Sequence, residues 1–234
     1  MRPVERGPLP RNPDGTPRVF GDFHHARADL IARLGEYCSY CEMQLDSSLA
    51  VEHVQPKTGP GAQPHLALAW DNFLLGCTNC NSTKGATPIL LDDYYWPDRD
   101  NTLRMLVYEV GGIIRPHPDL TPEEQDRAQR TIQLVGLDKT PLNDPEAKDR
   151  RWNNRREAWD MAQRAHRRLA RQDTEHMREQ IIDTARSNGY WSVWMTVFAD
   201  DADMRQCLIA AYPGTASACF DADSLAVARP GGRL

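Results

Sequence analysis

The sequence predicts an α+β fold in which a small cysteine-clamped unit is joined to a mostly helical C-terminal region. Two CxxC pairs, at residues 38–41 and 77–80, enclose short apolar stretches with the length of strands. A Gly-Gly pair at residues 111–112 separates two further apolar stretches, as in a β-hairpin. From residue 121 onward, apolar residues recur at helical spacing and capping signals mark the helix ends.

The chain of 234 residues divides into three predicted parts. Residues 1–21 are rich in proline and glycine, which predicts an extended N-terminal arm that lies on another surface. Residues 22–120 form the predicted core unit with its hairpin, and residues 121–234 form the predicted helical region. The residues from 228 onward show no periodic pattern, and we expect them to be frayed.

The core unit is predicted to run as strand, loop, strand and helix. A helix over residues 22–34 leads to the first cysteine pair. Residues 48–54 alternate as a short strand, and residues 73–75 form a second strand that runs into the second pair. A helix over residues 79–87 follows, and residues 101–117 then form the hairpin.

Capping signals define the helical region. A threonine, a proline and two glutamates at residues 121–124 predict the start of a helix that ends before a glycine. Residues 144–189 are helical in pattern but long for one helix, so we expect a break where Asp173 caps a second segment. Two shorter helices are predicted over residues 191–198 and 201–212.

The composition is typical of a globular protein, with 40% hydrophobic and 26% charged residues. No apolar run approaches the length needed to cross a membrane. The first residues lack the apolar stretch of a secretory signal, so we expect a cytoplasmic protein without a membrane partner. In that compartment, cysteine pairs bind metal more often than they form disulfides.

The paired cysteines predict a structural zinc site. Each CxxC motif supplies two thiolates from one turn, and two motifs complete a tetrahedron without an open position. A redox role for either motif is the alternative, but two pairs that flank one small unit favour zinc. The four predicted ligands are Cys38, Cys41, Cys77 and Cys80.

Polar residues inside and beside the clamp suit phosphodiester hydrolysis, which needs an activated water and a divalent ion on the phosphate. His53 suits the first task, and the oxygens of Glu52 and Asn81 suit Mg²⁺ or Mn²⁺. Neighbouring side chains on a strand point to opposite faces, so the strand must end or bend at His53. Asn72 is placed to bridge the loop and hold the backbone of His53, and Lys84, one turn after Asn81, is expected to face a phosphate.

The order CxxC, Glu-His-x-x-Pro-Lys, Trp-Asp-Asn and CxxC-Asn-x-x-Lys over residues 36–87 resembles the zinc-clamped HNH, or ββα-metal, endonuclease family. The resemblance implies a ββα fold around a structural zinc. It implies that His53 is the general base, that Asn72 is the structural middle asparagine and that Asn81 replaces the final histidine of many members. Glu52 takes the place of an acidic residue, more often Asp, that holds the catalytic Mg²⁺ or Mn²⁺ together with Asn81.

Further stretches are similar to PtuB-like HNH proteins, the nuclease partners of an ABC/SMC-type ATPase in Septu anti-phage systems and some retrons. They include the opening Met-Arg-Pro, the Cys-x-Tyr-Cys-Glu form of the first pair, and residues 131–134 with 142–143. Residues 135–138 depart from the asparagine-rich form of that family. This resemblance implies a nuclease for DNA, with RNA as an alternative, controlled by an ATPase partner.

The charge distribution is uneven. The net charge of −5 argues against a uniformly basic nucleic-acid binder, yet residues 148–171 hold nine basic and three acidic residues, a local net charge of +6. This basic helix guides nucleic acid, docks an acidic partner or is a solvated surface. The predicted nucleic-acid contacts are Lys57, Lys84, Arg164, Arg167 and Arg168.

Two other functions stay open at this point. A zinc module that binds nucleic acid or protein without catalysis would make Glu52, His53 and Asn81 incidental. A redox or zinc-sensing protein would undergo reversible cysteine oxidation.

Overall fold

Two small antiparallel sheets and a series of helices make up the computed structural model, which describes residues 1–143 and 149–234 and confirms the α+β class. The strands in these ranges are β1 (Leu49–His53), β2 (Phe73–Cys77), β3 (Leu106–Glu109) and β4 (Ile113–Pro116). The helices are α1 (Arg27–Leu34), α2 (Thr78–Lys84), α3 (Thr102–Met105), α4 (Pro122–Val135), α5 (Arg151–Leu169), α6 (Glu175–Asn188), α7 (Trp191–Val197) and α8 (Ala202–Ala211).

The predicted order of strand, loop, strand and helix is present as β1, β2 and α2. The two strands pair antiparallel, with Leu49 opposite Cys77 and His53 opposite Phe73. Cys77 ends β2 and also caps α2, because its sulfur accepts a hydrogen bond from the backbone N–H of Cys80 at 3.4 Å. The second cysteine pair therefore lies at the junction between strand and helix.

The hairpin is shorter than the sequence predicted. Its turn lies at Gly111 and Gly112, both with positive φ, as the Gly-Gly pair indicated. The residues before β3, expected to be extended, form the short helix α3, because the side chain of Asn101 accepts a hydrogen bond from the N–H of Leu103 and caps that turn.

The helical region follows its capping signals at most ends. α4 begins with the predicted capping box and ends at Gly136 in the left-handed conformation. The break near residue 173 is confirmed, but Thr174 caps α6, whereas Asp173 forms an ion pair with Arg178. The start predicted at residue 144 lies outside the described residues.

Both chain ends in the structure pack against the rest of the protein. The guanidinium of Arg2 is buried and donates to the carbonyls of Leu34 and Pro213 at 2.8 and 2.7 Å. Arg6 donates to the carbonyl of Phe73, so this part of the arm lies against the core unit. The prediction of a frayed end from residue 228 is wrong, because Leu234 is buried and its carbonyl accepts two backbone hydrogen bonds.

The buried apolar side chains form one connected core that draws on the arm, the core unit and the helical region. Trp96, Trp191 and Trp194 are among its largest members. None of the helices in the described ranges is long and apolar enough to cross a bilayer.

Candidate functional site

The four paired cysteines converge on one buried point. Their sulfur atoms all lie within 4.8 Å of one another, and the sulfurs of Cys41 and Cys77 are 3.7 Å apart. A tetrahedral zinc with Zn–S bonds of about 2.3 Å requires sulfur separations of about 3.8 Å. The donor set and its spacing therefore fit a closed four-thiolate zinc site, as the spacing in the sequence predicted.

A buried arginine from the helical region contacts this cluster. Arg151, at the start of α5, donates to the sulfur of Cys80 at 2.8 Å and to the carbonyls of Val135 and Gly136 at 2.8 and 3.0 Å. Burial opposes its charge, but the hydrogen bond to Asp149 and the negative charge of the neighbouring cysteine sulfurs raise the pKa of Arg151. Arg151 is one of the nine basic residues at positions 148–171, and the structure buries its charge inside the protein. A buried cluster of thiolates favours a cation beside it. Composition alone does not show which arginine takes that position.

Arg151→Met is expected to weaken zinc retention by about 10–100-fold, as is typical when a partner of a metal ligand is lost. The substitution removes the N–H donor to the Cys80 sulfur and keeps most of the side-chain volume. Zinc transfer to a chromogenic chelator measures the effect. Arg167→Met, at an exposed position on the same helix, is the control. Equal zinc transfer rates for the two variants would contradict the role of Arg151.

The predicted reactive residues line a cleft of about 250 Å³ between the end of β1 and α2, here called the β1–α2 cleft. Glu52, His53 and Asn81 all contribute to its wall. Neighbouring side chains within a strand point to opposite faces, so Glu52 and His53 were expected to share a site only if the strand ends at His53. β1 does end at His53, and both residues line the cleft. Gly76 allows the close approach of strand and helix: a Cβ there would lie 3.1 Å from the Cβ of Glu52 and 3.7 Å from that of Asn81.

Glu52 is held by Lys84, which changes the role expected for this lysine. The ammonium of Lys84 lies 2.8 Å from Oε1 of Glu52 and donates to the carbonyl of His53 at 2.7 Å. Lys84 is 1% exposed, so from this position it cannot contact a substrate phosphate. Burial raises the pKa of Glu52, and the charge and hydrogen bond of Lys84 oppose that rise. Tyr40, between the first two cysteines, also donates to Oε1, at 3.4 Å.

Lys84→Met is expected to destabilise the protein by about 3–5 kcal/mol, because it leaves the buried carboxylate of Glu52 without its counter-charge. The double variant E52Q/K84M removes both charges and is expected to recover part of this loss. Urea denaturation of the wild type and the single and double variants gives the coupling free energy. If Lys84→Met lowers the free energy of unfolding by less than about 1 kcal/mol, the Glu52–Lys84 pair contributes little to stability.

His53 is fixed in one orientation. Its Nε2 lies 3.0 Å from the carbonyl of Ala67, which can only accept, so Nε2 carries the proton and Nδ1 is the basic nitrogen. The rings of Phe23 and Phe73 pack edge-on against the imidazole at 4.9 and 5.2 Å. Burial, with the nearby positive charge of Lys57, lowers the pKa of His53. A neutral imidazole is the form that can accept a proton.

Asn72 bridges the loop between β1 and β2, as predicted, although its partner is Gln55 rather than His53. Its Oδ1 accepts from the N–H of Gln55 at 2.8 Å, and its Nδ2 donates to the carbonyl of Gln55 at 2.9 Å. The side chain is buried and is absent from the wall of the β1–α2 cleft. In this position Asn72 shapes the loop that follows His53.

The predicted basic contacts lie in two places. Lys57 is on the wall of the β1–α2 cleft. Arg164, Arg167 and Arg168 are exposed on α5, and the structure does not bring them to that cleft. At 1.5 Å per residue, Arg164 is about 20 Å along α5 from the arginine at the zinc cluster. The sequence did not predict the contacts of Phe23, Tyr40 and Arg151, because each of them joins segments that are separated along the chain.

Comparison with known proteins assigns the class of this core. Residues 38–87 match the model of the HNH endonuclease family, so the chain contains an HNH endonuclease domain. It is also similar to a protein of Vibrio cholerae serotype O1 biovar El Tor that is assigned as the HNH endonuclease of retron Vc95. The two are 28% identical over 116 residues, and the match covers 46% of this chain and 55% of the relative. The chain thus matches about half the length of that relative.

Proposed function

We propose that the protein is a metal-dependent endonuclease that hydrolyses phosphodiester bonds, with DNA as its substrate. The observation that carries this proposal is the convergence of Glu52, His53 and Asn81 in one cleft beside a closed four-cysteine site. The carboxylate and amide oxygens are hard donors that fit Mg²⁺ or Mn²⁺. The four thiols are soft donors that fit zinc. Two donor sets of different chemistry support two metal sites with separate tasks.

Each residue has a defined task in this proposal. His53 accepts a proton from the attacking water at Nδ1, while its Nε2–H stays bonded to Ala67. Glu52 and Asn81 would hold the divalent ion, and the ion would supply positive charge to stabilise the transition state of phosphodiester hydrolysis. Oε1 of Glu52 is fixed by Lys84, so the carboxylate is oriented before substrate arrives. Lys57 contributes positive charge at the cleft.

Cleavage of supercoiled plasmid, single-stranded DNA and RNA in Mg²⁺, Mn²⁺ and Ca²⁺ tests the proposal. Wild-type protein is expected to convert plasmid to nicked and linear forms in Mg²⁺ or Mn²⁺. Glu52→Gln is expected to lose this activity, whereas Glu109→Gln, at a distance in the hairpin, is the matched control. Binding that is unchanged by Glu52→Gln, with no cleavage in any metal either alone or with a candidate ATPase partner, would instead support a non-catalytic zinc module. Preference for RNA over DNA would correct the substrate.

We further propose that the nuclease acts in anti-phage defence with an ABC/SMC-type ATPase. The relative from Vibrio cholerae belongs by name to a retron, and the PtuB-like stretches point to the same kind of system. The net charge of −5 supports help from a partner in holding nucleic acid. Phage plating on cells that express this protein together with a candidate ABC/SMC-type ATPase is expected to fall, and to recover with His53→Ala. Full protection by the nuclease gene alone would contradict the need for the ATPase.

A further inference from the structure

A phenylalanine outside the HNH motif contacts two residues of the β1–α2 cleft. Phe23 begins the 3₁₀ turn Phe23–Ala26, ahead of the segment that matches the HNH family. The ammonium of Lys57 lies 3.1 Å from the centroid of its ring. The ring also packs edge-on against His53, and Phe23 itself lines the cleft.

The contact with Phe23 favours one position of the Lys57 side chain. A lysine side chain has several rotatable bonds and loses conformational freedom when it is fixed. No side chain in the described ranges forms an ion pair or hydrogen bond with the ammonium of Lys57. The face of Phe23 supplies a cation–π contact that favours one position, and the ammonium keeps N–H donors for an anion. The lysine is thus held beside His53 without having its charge neutralised.

The same geometry argues against a role for Phe23 as a platform for an unstacked base. The centroid of its ring lies 3.8 Å from that of His24, and the ring also contacts Lys57 and His53. A ring with neighbours on so many sides supports them and has little free face for a nucleobase.

We propose that Phe23 is a positioning residue, and that it holds the Lys57 ammonium at the β1–α2 cleft to bind a phosphate of the nucleic-acid backbone next to the one that is cut. This inference rests on the proposed nuclease function. Phe23 would then be a functional residue of the cleft that lies before the segment matching the HNH family. The ligand recognised by this pair is the phosphodiester backbone, independent of base sequence.

Binding of a fluorescent 20-base-pair duplex across a range of NaCl concentrations, without added Mg²⁺ or Mn²⁺, tests the inference. Chelator is left out so that the zinc stays bound. Lys57→Met is expected to reduce the slope of log K against log salt by about 0.9, the value for one lost phosphate contact. Phe23→Leu is expected to produce most of that change, and Phe23→Tyr to keep the wild-type slope. The double variant F23L/K57M is expected to be no weaker than Lys57→Met alone, because the two residues act as one unit.

Three results would overturn the inference: a wild-type slope for Phe23→Leu, a wild-type slope for Lys57→Met, or additive losses in the double variant. Zinc content and circular dichroism show whether each variant is folded. If Phe23→Leu does not fold, Phe23→Met replaces it, because methionine keeps apolar volume without an aromatic face, and a wild-type slope for Phe23→Met would equally overturn the inference. The proposed function fails separately. Wild-type protein that binds with the expected slope but never cuts DNA or RNA would contradict nuclease activity and leave the Phe23–Lys57 pair in place.

Discussion

His53→Ala is expected to reduce phosphodiester cleavage by about 10²–10⁴-fold, the usual contribution of a general base. The carbonyl of Ala67 fixes the proton on Nε2, and the two phenylalanine rings hold the imidazole plane, so Nδ1 is already oriented. Alanine removes the base but not the zinc cluster, which lies on other residues. Initial rates of plasmid nicking at matched protein and Mg²⁺ concentrations measure the loss.

His65→Ala is the matched control, because His65 is exposed in a 3₁₀ turn of the same loop and is not on the wall of the β1–α2 cleft. It is expected to cut at nearly the wild-type rate. Added imidazole is expected to restore part of the activity of His53→Ala by supplying the missing base. Equal nicking rates for wild type and His53→Ala would remove His53 as the base.

Loss of the four-cysteine site is expected to have the largest effect on stability. Structural zinc contributes apparent binding energies of about 10–16 kcal/mol in zinc-finger peptides. In this chain a larger hydrophobic core also contributes to stability, so the fraction that depends on zinc is smaller. The clamp joins the turn at residues 38–41 to the junction of β2 and α2, across 35 intervening residues. Without zinc, the four cysteines would be separate buried thiols, with no metal bonds to hold the two segments together.

Cys41→Ser is therefore expected to abolish zinc binding and to lower the melting temperature by well over 10 °C, or to prevent soluble expression. Zinc analysis by mass spectrometry and thermal denaturation by circular dichroism measure both effects. Cys207→Ser is the control, since Cys207 is exposed and lies outside the cluster. Cleavage is expected to fall together with zinc content, because Tyr40 links the first cysteine pair to the carboxylate of Glu52. A zinc-free protein with wild-type stability would show that the cluster has no structural role.

The local features of this fold could be predicted because their causes are local. The CxxC spacing, the capping box of α4 and the Gly-Gly turn each depend on a few consecutive residues. The convergence of Glu52 and His53 was conditional, since it required a strand end that the sequence alone only suggested. That end is present, and the pair shares a cleft as a result.

The features that could not be predicted are charged side chains that become buried when segments distant in the sequence pack together. A lysine one helical turn after Asn81 is expected at the surface, because burial of an ammonium is costly unless it is paired. Only the packing of α2 on β1 shows that Glu52 pairs with Lys84. Arg2 and Arg6 are equally unexpected, because a proline-rich arm does not indicate which carbonyls its arginines will bind.

The contact between Arg151 and the Cys80 sulfur has a consequence for protein engineering. The same guanidinium satisfies the carbonyls at the end of α4, and Arg6 of the arm satisfies a carbonyl of β2. An excised HNH motif would therefore lose the donor to the Cys80 sulfur, which is Arg151, and the donor to the Phe73 carbonyl, which is Arg6. A fusion protein that uses this HNH domain should keep those flanking segments, because the unit that satisfies its buried polar groups is larger than the stretch that carries the motif.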